Sequence, residues 1–359
     1  MDASLRRSFV AVAVALAAGF LLTCCVSDEP VRAYRVLLAG ALPDLAWSAD
    51  GGWTLRRLTR FSAVLEDTIT LALLGLAVLF GLRARQFSMG ADGQLFVAAL
   101  AAAWVSVQLA AFGALALPAA ALAAVAAGFA WGAIPGVMKA RWQANEIVTT
   151  LMLNIVGIQL YRLVITHAFN DPAAGFLAAP ALPEAAMLAP WWPRTRLTAF
   201  VLLAPLAVLA AWFVLHRTTL GYEIRAVGDA PDFAARCGMP VARTVVLSMA
   251  LGGAFAGLAG LHLSNAVFLR LPVELSPGIG FEGLVVALLA RNEPKAVLPA
   301  ALFYAYLKAG GAAMERSSDV SREVVLVIQA LIVMCVVCER FVPAALARAW
   351  QRRTRGAAA

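Results

Sequence analysis

The strongest constraint on this chain is a succession of apolar runs, most of them close to the ~20 residues that a helix needs to cross a bilayer. The runs read as spans are 8–26, 63–82, 92–108, 110–133, 147–166, 197–215, 244–263, 281–290 with its flanks, 296–311 and 322–339. Hydrophobic residues make up 62% of the 359 and charged ones only 14%, with mean hydropathy +0.82. A soluble domain is about half apolar and a quarter charged. A chain so poor in polar groups cannot cover itself against water, so its solvent is largely lipid. The expected fold is an all-α integral membrane protein of about ten transmembrane helices. It forms one polytopic domain over 1–359, with the membrane-embedded region at 8–340.

Charge sets the orientation. The net charge of +8 does not indicate nucleic acid, because Lys and Arg gather in the cytoplasmic loops of membrane proteins. With the N-terminus inside, those loops hold most of the 29 basic residues, and half of the externally placed ones fall in one long loop, which counts for little. Both termini are therefore expected in the cytoplasm, the C-terminal one as a basic tail over 341–359. Arg6 and Arg7 before the run at 8–26 imitate a signal peptide, but a run long enough to span and followed by further spans reads as an uncleaved first helix. Cys335 and Cys338 lie inside an apolar run, where a C-x-x-C reads as packing rather than redox or metal chemistry.

Two external segments are polar, about 27–62 and 168–196. The second carries Asp171-Pro172, several further prolines and the pair Trp191-Trp192, which reads as an interfacial anchor. An internal repeat is also visible. Gly90-Ala91-Asp92-Gly93 introduces the run from Leu95, and Gly280-Phe281-Glu282-Gly283 the run from Leu284, each preceded by a serine, Ser88 or Ser276. The topology places the first motif on the cytoplasmic side and the second outside. Similar units of opposite orientation are the mark of two inverted structural repeats in transporters.

The chain contains no G-x-x-x-x-G-K-[ST] phosphate loop, and its three histidines have no metal-ligand spacing. It reads as neither an enzyme nor the holder of a cofactor or metal. Uphill transport would draw on an ion gradient or on a partner.

The most informative cytoplasmic segment lies within 216–243. Asp229 is placed to cap a short helix, Pro231 suits its first turn, and Asp232 complements its dipole. Gly238 supplies a left-handed stop and Pro240 prevents continuation. A short capped helix between two spans, with Phe233 and Ala234 available for packing, has the form of a docking knob, with an ordinary interfacial connector as the competing role.

Here the sequence resembles a known family. The run GYEIRAVGDAPDFAARCGMPVARTVVLSMALGGAFAGLAG resembles the coupling-loop region of ABC permeases of the branched-chain amino-acid/ribose/nucleoside superfamily. FSMGADGQLFVAALAAAW, KARWQANEIVTTLMLNIVG and SPGIGFEGLVVALLARNEP resemble segments of its simple-sugar and nucleoside branch, and the likeness extends from about 60 to 340. The resemblance implies a permease subunit of an ATP-driven importer in the bacterial inner membrane. Its implied partners are an ABC ATPase subunit that hydrolyses the ATP, a second permease and an extracytoplasmic substrate-binding protein. It implies that residues 221–238 dock on the ATPase, with Gly221 and Gly228 in the coupling element, Glu223, Arg225 and Asp229 as its polar contacts and Ala234, Ala235 and Gly238 as its packing positions. Cys237-Gly238-Met239-Pro240 departs from the family pattern, and Pro240 stiffens the exit from the helix. An ion-coupled transporter acting alone is the alternative, with Asp92 and Glu282 as its ion-carrying acids.

For a substrate path, polar side chains inside apolar helices are expensive and face a bundle interior or a cavity. Asn145, Glu146, Thr149, Thr150 and Asn154 cluster at the start of one span, with Thr150 and Asn154 on one face. Asp92, Gln94 and Glu282, with the glycines of their motifs (Gly90, Gly93, Gly280 and Gly283), share that expectation. Helix capping and interhelical hydrogen bonding are the competing roles. The Gly128-Gly132-Gly136 and Gly253-Gly257 spacings read as close helix packing. Nucleosides are the first choice of solute and simple sugars the second.

Overall fold

The computed structural model describes residues 16–24, 27–40, 44–47, 53–56, 58–191, 195–275 and 278–337. Most of the expected first span, Ser276, Trp192, Cys338 and the tail 341–359 lie outside the described residues, as do the side chains of 335–337. The described elements are helices apart from one short hairpin, joined by non-helical segments. Residues 16–24 are helical, and the elements after them are α1 (Pro30–Ala39), β1 (Asp44–Trp47), β2 (Trp53–Arg56), α2 (Leu58–Arg83), α3 (Ala91–Gln108), α4 (Ala116–Trp142), α5 (Glu146–His167) and α6 (Phe200–Arg217). There follow α7 (Thr219–Asp229), α8 (Pro231–Arg236), α9 (Val241–His262), α10 (Ile279–Leu289), α11 (Pro294–Ser317) and α12 (Arg322–Val337). Among the described residues, 6 helical stretches are long and apolar enough to cross a membrane: Thr59–Arg83, Ala110–Trp142, Glu146–His167, Phe200–Arg217, Val241–Phe268 and Pro294–Ser317. The expected spans at 92–108, 281–290 and, in its described part, 322–337 are met by α3, α10 and α12, which are too short or too polar to join those six.

The chain divides into two compact units, 1–64 with 303–359, and 65–302. In the first, the segment expected as a plain polar loop contains α1 and the hairpin. α1 forms because Ala33, Tyr34 and Leu37 make one buried stripe and Pro30 occupies its first turn. That stripe packs with Leu307, Met314, Val325, Ile328 and Ile332. The Tyr34 hydroxyl donates to the Leu16 carbonyl at 2.6 Å, and burial pushes its pKa up to about 12. Asp319 accepts from the Ser27 hydroxyl at 2.7 Å and the Asp28 amide at 2.8 Å. The hairpin pairs Asp44 with Arg56 and Trp47 with Trp53, antiparallel.

In the second unit, residues 65–83 of α2 are buried on nearly every side; Leu71, Leu73, Leu74, Leu76, Leu79 and Phe80 are all sealed from solvent. A stretch apolar all round, as 71–80 is, belongs at the centre of a bundle. The outer helices instead turn large apolar side chains outward: Leu122 and Phe129 on α4, Ile155 and Leu163 on α5, Leu206 and Phe213 on α6. Exposure on that scale suits lipid, not water. α4 and α9 cross at backbone contact, as the glycine spacings require: a Cβ on Gly253 would meet the Gly128 carbonyl, and one on Gly257 the Ala124 carbonyl.

Candidate functional site

Residues 219–236 are more regular than the sequence suggested. α7 begins at an N-cap, Thr218, whose hydroxyl oxygen accepts from the Gly221 amide at 3.1 Å. Asp229 is therefore the last residue of α7 and does not cap α8; Ala230 stands at that N-cap without a side-chain bond. The helix-forming run from Thr219 outcompeted the capping propensity of Asp229. Pro231 is in the first turn of α8 and Gly238 is left-handed, with φ of 79°, as read from the sequence. Ala234 is buried with Val227, Val245 and Met249, whereas Phe233 is 63% exposed. Asp229, Ala235 and Gly238 are exposed as well, and Arg225 is half-buried. Glu223 accepts from the Thr244 hydroxyl at 3.3 Å and so ties α7 to α9.

Two glycines seat α7. A Cβ on Gly221 would collide with carbonyls at the end of α6, and a Cβ on Gly228 with the Arg83 carbonyl at the end of α2. Arg83 also donates through Nε to the Asn292 carbonyl at 2.7 Å and pairs with Glu293, just beyond α10. The short helices thus bear on the junction where α2 ends and the non-helical stretch before α3 begins.

That stretch leads to the first repeat motif, and the structure corrects its expected location. Asp92 accepts from the Gly280 amide at 2.6 Å, so the two motifs touch and cannot lie on opposite faces of a ~30 Å bilayer. The reason is that residues 85–90 are not helical and α10 has only 11 residues, so the N-terminal ends of α3 and α10 meet. Asp92 is 1% exposed, and its carboxylate faces the amide end of α10, where a negative group is favoured. Gly93 donates to Asn154 Oδ1 at 2.8 Å, while Asn154 Nδ2 donates to the Met89 carbonyl at 2.6 Å. Met89 donates to the Thr150 hydroxyl at 3.2 Å. One face of α5 therefore holds Met89 in the bend by two hydrogen bonds and the first turn of α3 by a third.

The remaining candidates separate by role. Asn145 caps α5, accepting from Ile147 and Val148, and Glu146 pairs with Lys139 at 2.9 Å. Thr149 bonds back to the carbonyls of Asn145 and Glu146. Gln94 is buried near Gly90 and Gly132; Gly283 packs on Leu74; Glu282 is partly buried on α10. Among the described residues no group of three or more His, Cys, Asp or Glu side chains is placed to hold a metal.

Sequence reading overlooked two buried polar groups. Asn265 donates to Ser106 at 2.8 Å and to the Ala186 carbonyl at 2.9 Å, within a π-helical stretch Leu263–Phe268 that continues α9. Glu66, 7% exposed on α2, borders a cavity of about 720 Å³. The signal for both was present as a polar residue inside an apolar run.

Comparison with known proteins fits this architecture. The family model described as branched-chain amino acid transport system / permease component matches residues 60–337. The guanosine ABC transporter permease protein NupP of Bacillus subtilis is 32% identical over 330 residues, 91% of each chain. The glucose ABC transporter permease protein TsgB13 of Haloferax volcanii is 34% identical over 340 residues, 92% of this chain and 86% of its own. The nucleoside ABC transporter permease protein NupB of Lactococcus lactis is 26% identical over 361 residues, 96% and 94% of the two chains. With the matched residues running from the start of α2 to the end of α12, the chain belongs to the family of branched-chain amino acid transport system permease components.

Proposed function

We propose that this multi-pass membrane permease is half of the translocation pathway of an ATP-driven importer for nucleosides or, as the second choice, simple sugars. The carrying observation is the continuous run of contacts from α7 through Gly228 to the end of α2, and from the bend before α3 to Asp92 and Gly280. An ATPase subunit docks on the exposed side of α7 and α8, around Asp229, Phe233, Ala235 and Gly238. Gly221, Glu223, Arg225, Gly228 and Ala234 hold that surface to the bundle. Closure of the ATPase moves α7, and the motion reaches the two meeting helix ends.

In this reading the chain has ten spans with both termini in the cytoplasm of a bacterium, in its inner membrane. α3 and α10 are the interrupted helices of two inverted repeats, and their convergent N-terminal ends supply the amide-rich lining that such transporters place at mid-depth. Solute passes beside Gln94, Asn154 and Glu282. A second permease, identical or homologous, completes the pathway, and an extracytoplasmic binding protein delivers solute. Nucleosides and sugars are supported by the names of the relatives above and by the side-chain amides of Gln94 and Asn154 along this path.

The test is reconstitution into liposomes with a cognate ABC ATPase and extracytoplasmic binding protein, following uptake of labelled guanosine and D-glucose. Uptake is expected only with ATP on the ATPase side. Accumulation by the chain alone under a proton or sodium gradient would overturn the proposal.

A further inference from the structure

The cavity beside Glu66 has no role in the pathway just described, and all its described lining lies in the unit 65–302. Its volume of about 720 Å³ is within the range of small-molecule sites. It is bordered by Glu66 and by Thr198 just before α6, by Glu184, by Met187 to Pro190 and by Ala266 to Leu269.

Three observations distinguish it from a packing defect. Glu66 and Thr198 are 7% and 3% exposed, and Glu66 Oε2 and Thr198 Oγ1 have no hydrogen-bond partner. Buried polar atoms are nearly always paired, because an unpaired one forfeits its hydration without return. Arg196 Nη1 is 3.7 Å from Glu66 Oε1, too far for a hydrogen bond but near enough to balance its charge. The wall opposite is irregular by construction. It is the π-helical turn Leu263–Phe268, followed by Leu269 with a positive φ of 54°. π-turns and left-handed non-glycine residues gather at functional sites. Here both are held in place: the Leu188 amide donates to the Asn265 carbonyl at 2.9 Å and the Leu182 amide to the Leu269 carbonyl at 3.0 Å.

From this we infer that the cavity is a binding subsite for a neutral, polyhydroxylated solute, with Glu66 and Thr198 accepting from its hydroxyls and the half-exposed ring of Phe268 covering its apolar face. The carboxylate and guanidinium cancel, which disfavours a charged ligand of either sign. The terminal torsion of Glu is soft, so rotation of the carboxyl brings Oε2 to a donor in the cavity. An aromatic ring beside a carboxylate suits a ring bearing both C–H and O–H faces. The inference rests on the importer reading, since Glu184, Met187 to Pro190, Thr195 and Arg196 border the cavity on what that reading makes the extracytoplasmic side.

The experiment uses the assembled importer in liposomes with Ala189→Cys, an exposed lining position, and a membrane-impermeant maleimide. Millimolar guanosine or D-glucose is expected to slow labelling of residue 189 at least fivefold. Glu66→Gln and Thr198→Val are each expected to require about tenfold more solute for the same protection, the scale of one hydrogen bond to a charged or buried acceptor. Protection by neither solute, or protection unchanged in both variants, overturns the subsite. If Glu66→Gln does not assemble, Thr198→Val decides alone. Protection without uptake of either solute leaves the subsite standing and removes the transported-solute reading. Uptake without protection does the reverse.

Discussion

On the proposed coupling route, Gly228 is a position at which a single methyl group would force α7 away from α2. A Cβ there meets the carbonyl of Arg83, and the Cα of Ala84 lies 3.4 Å away. These are main-chain atoms at the end of a helix, and the Arg83 side chain is itself fixed by the Asn292 carbonyl at 2.7 Å and by Glu293. Neither partner can yield by a rotamer change, so α7 must move away from α2. Forced overpacking of this kind costs about 1–3 kcal/mol, and each ~1.4 kcal/mol is a factor of ten in an equilibrium. Gly228→Ala is therefore expected to lower solute uptake per ATP hydrolysed by about tenfold, and Gly228→Val by more, with basal ATPase activity kept within about twofold. Gly175→Ala is the control. Its φ of 75° makes alanine strained by about 1 kcal/mol, yet nothing lies within 4 Å of the added methyl and the position is outside the docking surface, so uptake per ATP should barely change. The assay is paired measurement of ATPase rate and guanosine or D-glucose uptake in proteoliposomes. Unchanged coupling in Gly228→Val would refute the transmission route.

Two further outcomes follow from the buried and linking polar groups. Asp92→Ala removes a buried charge-assisted bond and leaves the Gly280 amide unpaired, so a loss of about 2–4 kcal/mol is expected; it should appear as a lowered thermal-inactivation midpoint, with Asp92→Asn closer to wild type, and equal midpoints for both variants would contradict it. Asp319 accepts from the Ser27 hydroxyl and the Asp28 amide, which hold its carboxyl below the ordinary value of 3.8. Its contribution to stability is thus present above that pH and is lost as pH falls through the lower folded-state value. Amide exchange at Asp28, corrected for its intrinsic rate, should accelerate only at such acid pH, and Asp319→Ala should show the acceleration at neutral pH.

What the sequence disclosed followed from periodicity and from residues with one dominant conformational use. Apolar runs located the long helices, because a segment without polar groups has few alternatives in lipid. Gly238 and Pro231 were legible because left-handed backbone and a first-turn imide each select one residue type. Asp229 misled because capping is a competition: Thr218, eleven residues earlier, started a helix that absorbed it. α1 was hidden inside a segment read as loop, since a ten-residue helix with a three-residue apolar stripe gives little signal beside runs twice its length. The meeting of Asp92 with Gly280 joins positions 188 residues apart and has no local trace.

Glu66 and Asp92 illustrate why a polar residue in an apolar run is legible as a position but not as a role. Both are acidic, both are buried in helices of one unit, and the sequence assigns them the same expense. Asp92 has its cost returned by the Gly280 amide, so it works as a joint between two helix ends. Glu66 retains an oxygen with no partner beside a cavity large enough for a solute. A satisfied acid holds a bundle together, whereas an unsatisfied one gains only when a donor arrives from outside the chain. Partner geometry therefore separates framework from site, and it is why a residue absent from the sequence-derived substrate path carries the stronger claim to touch a solute.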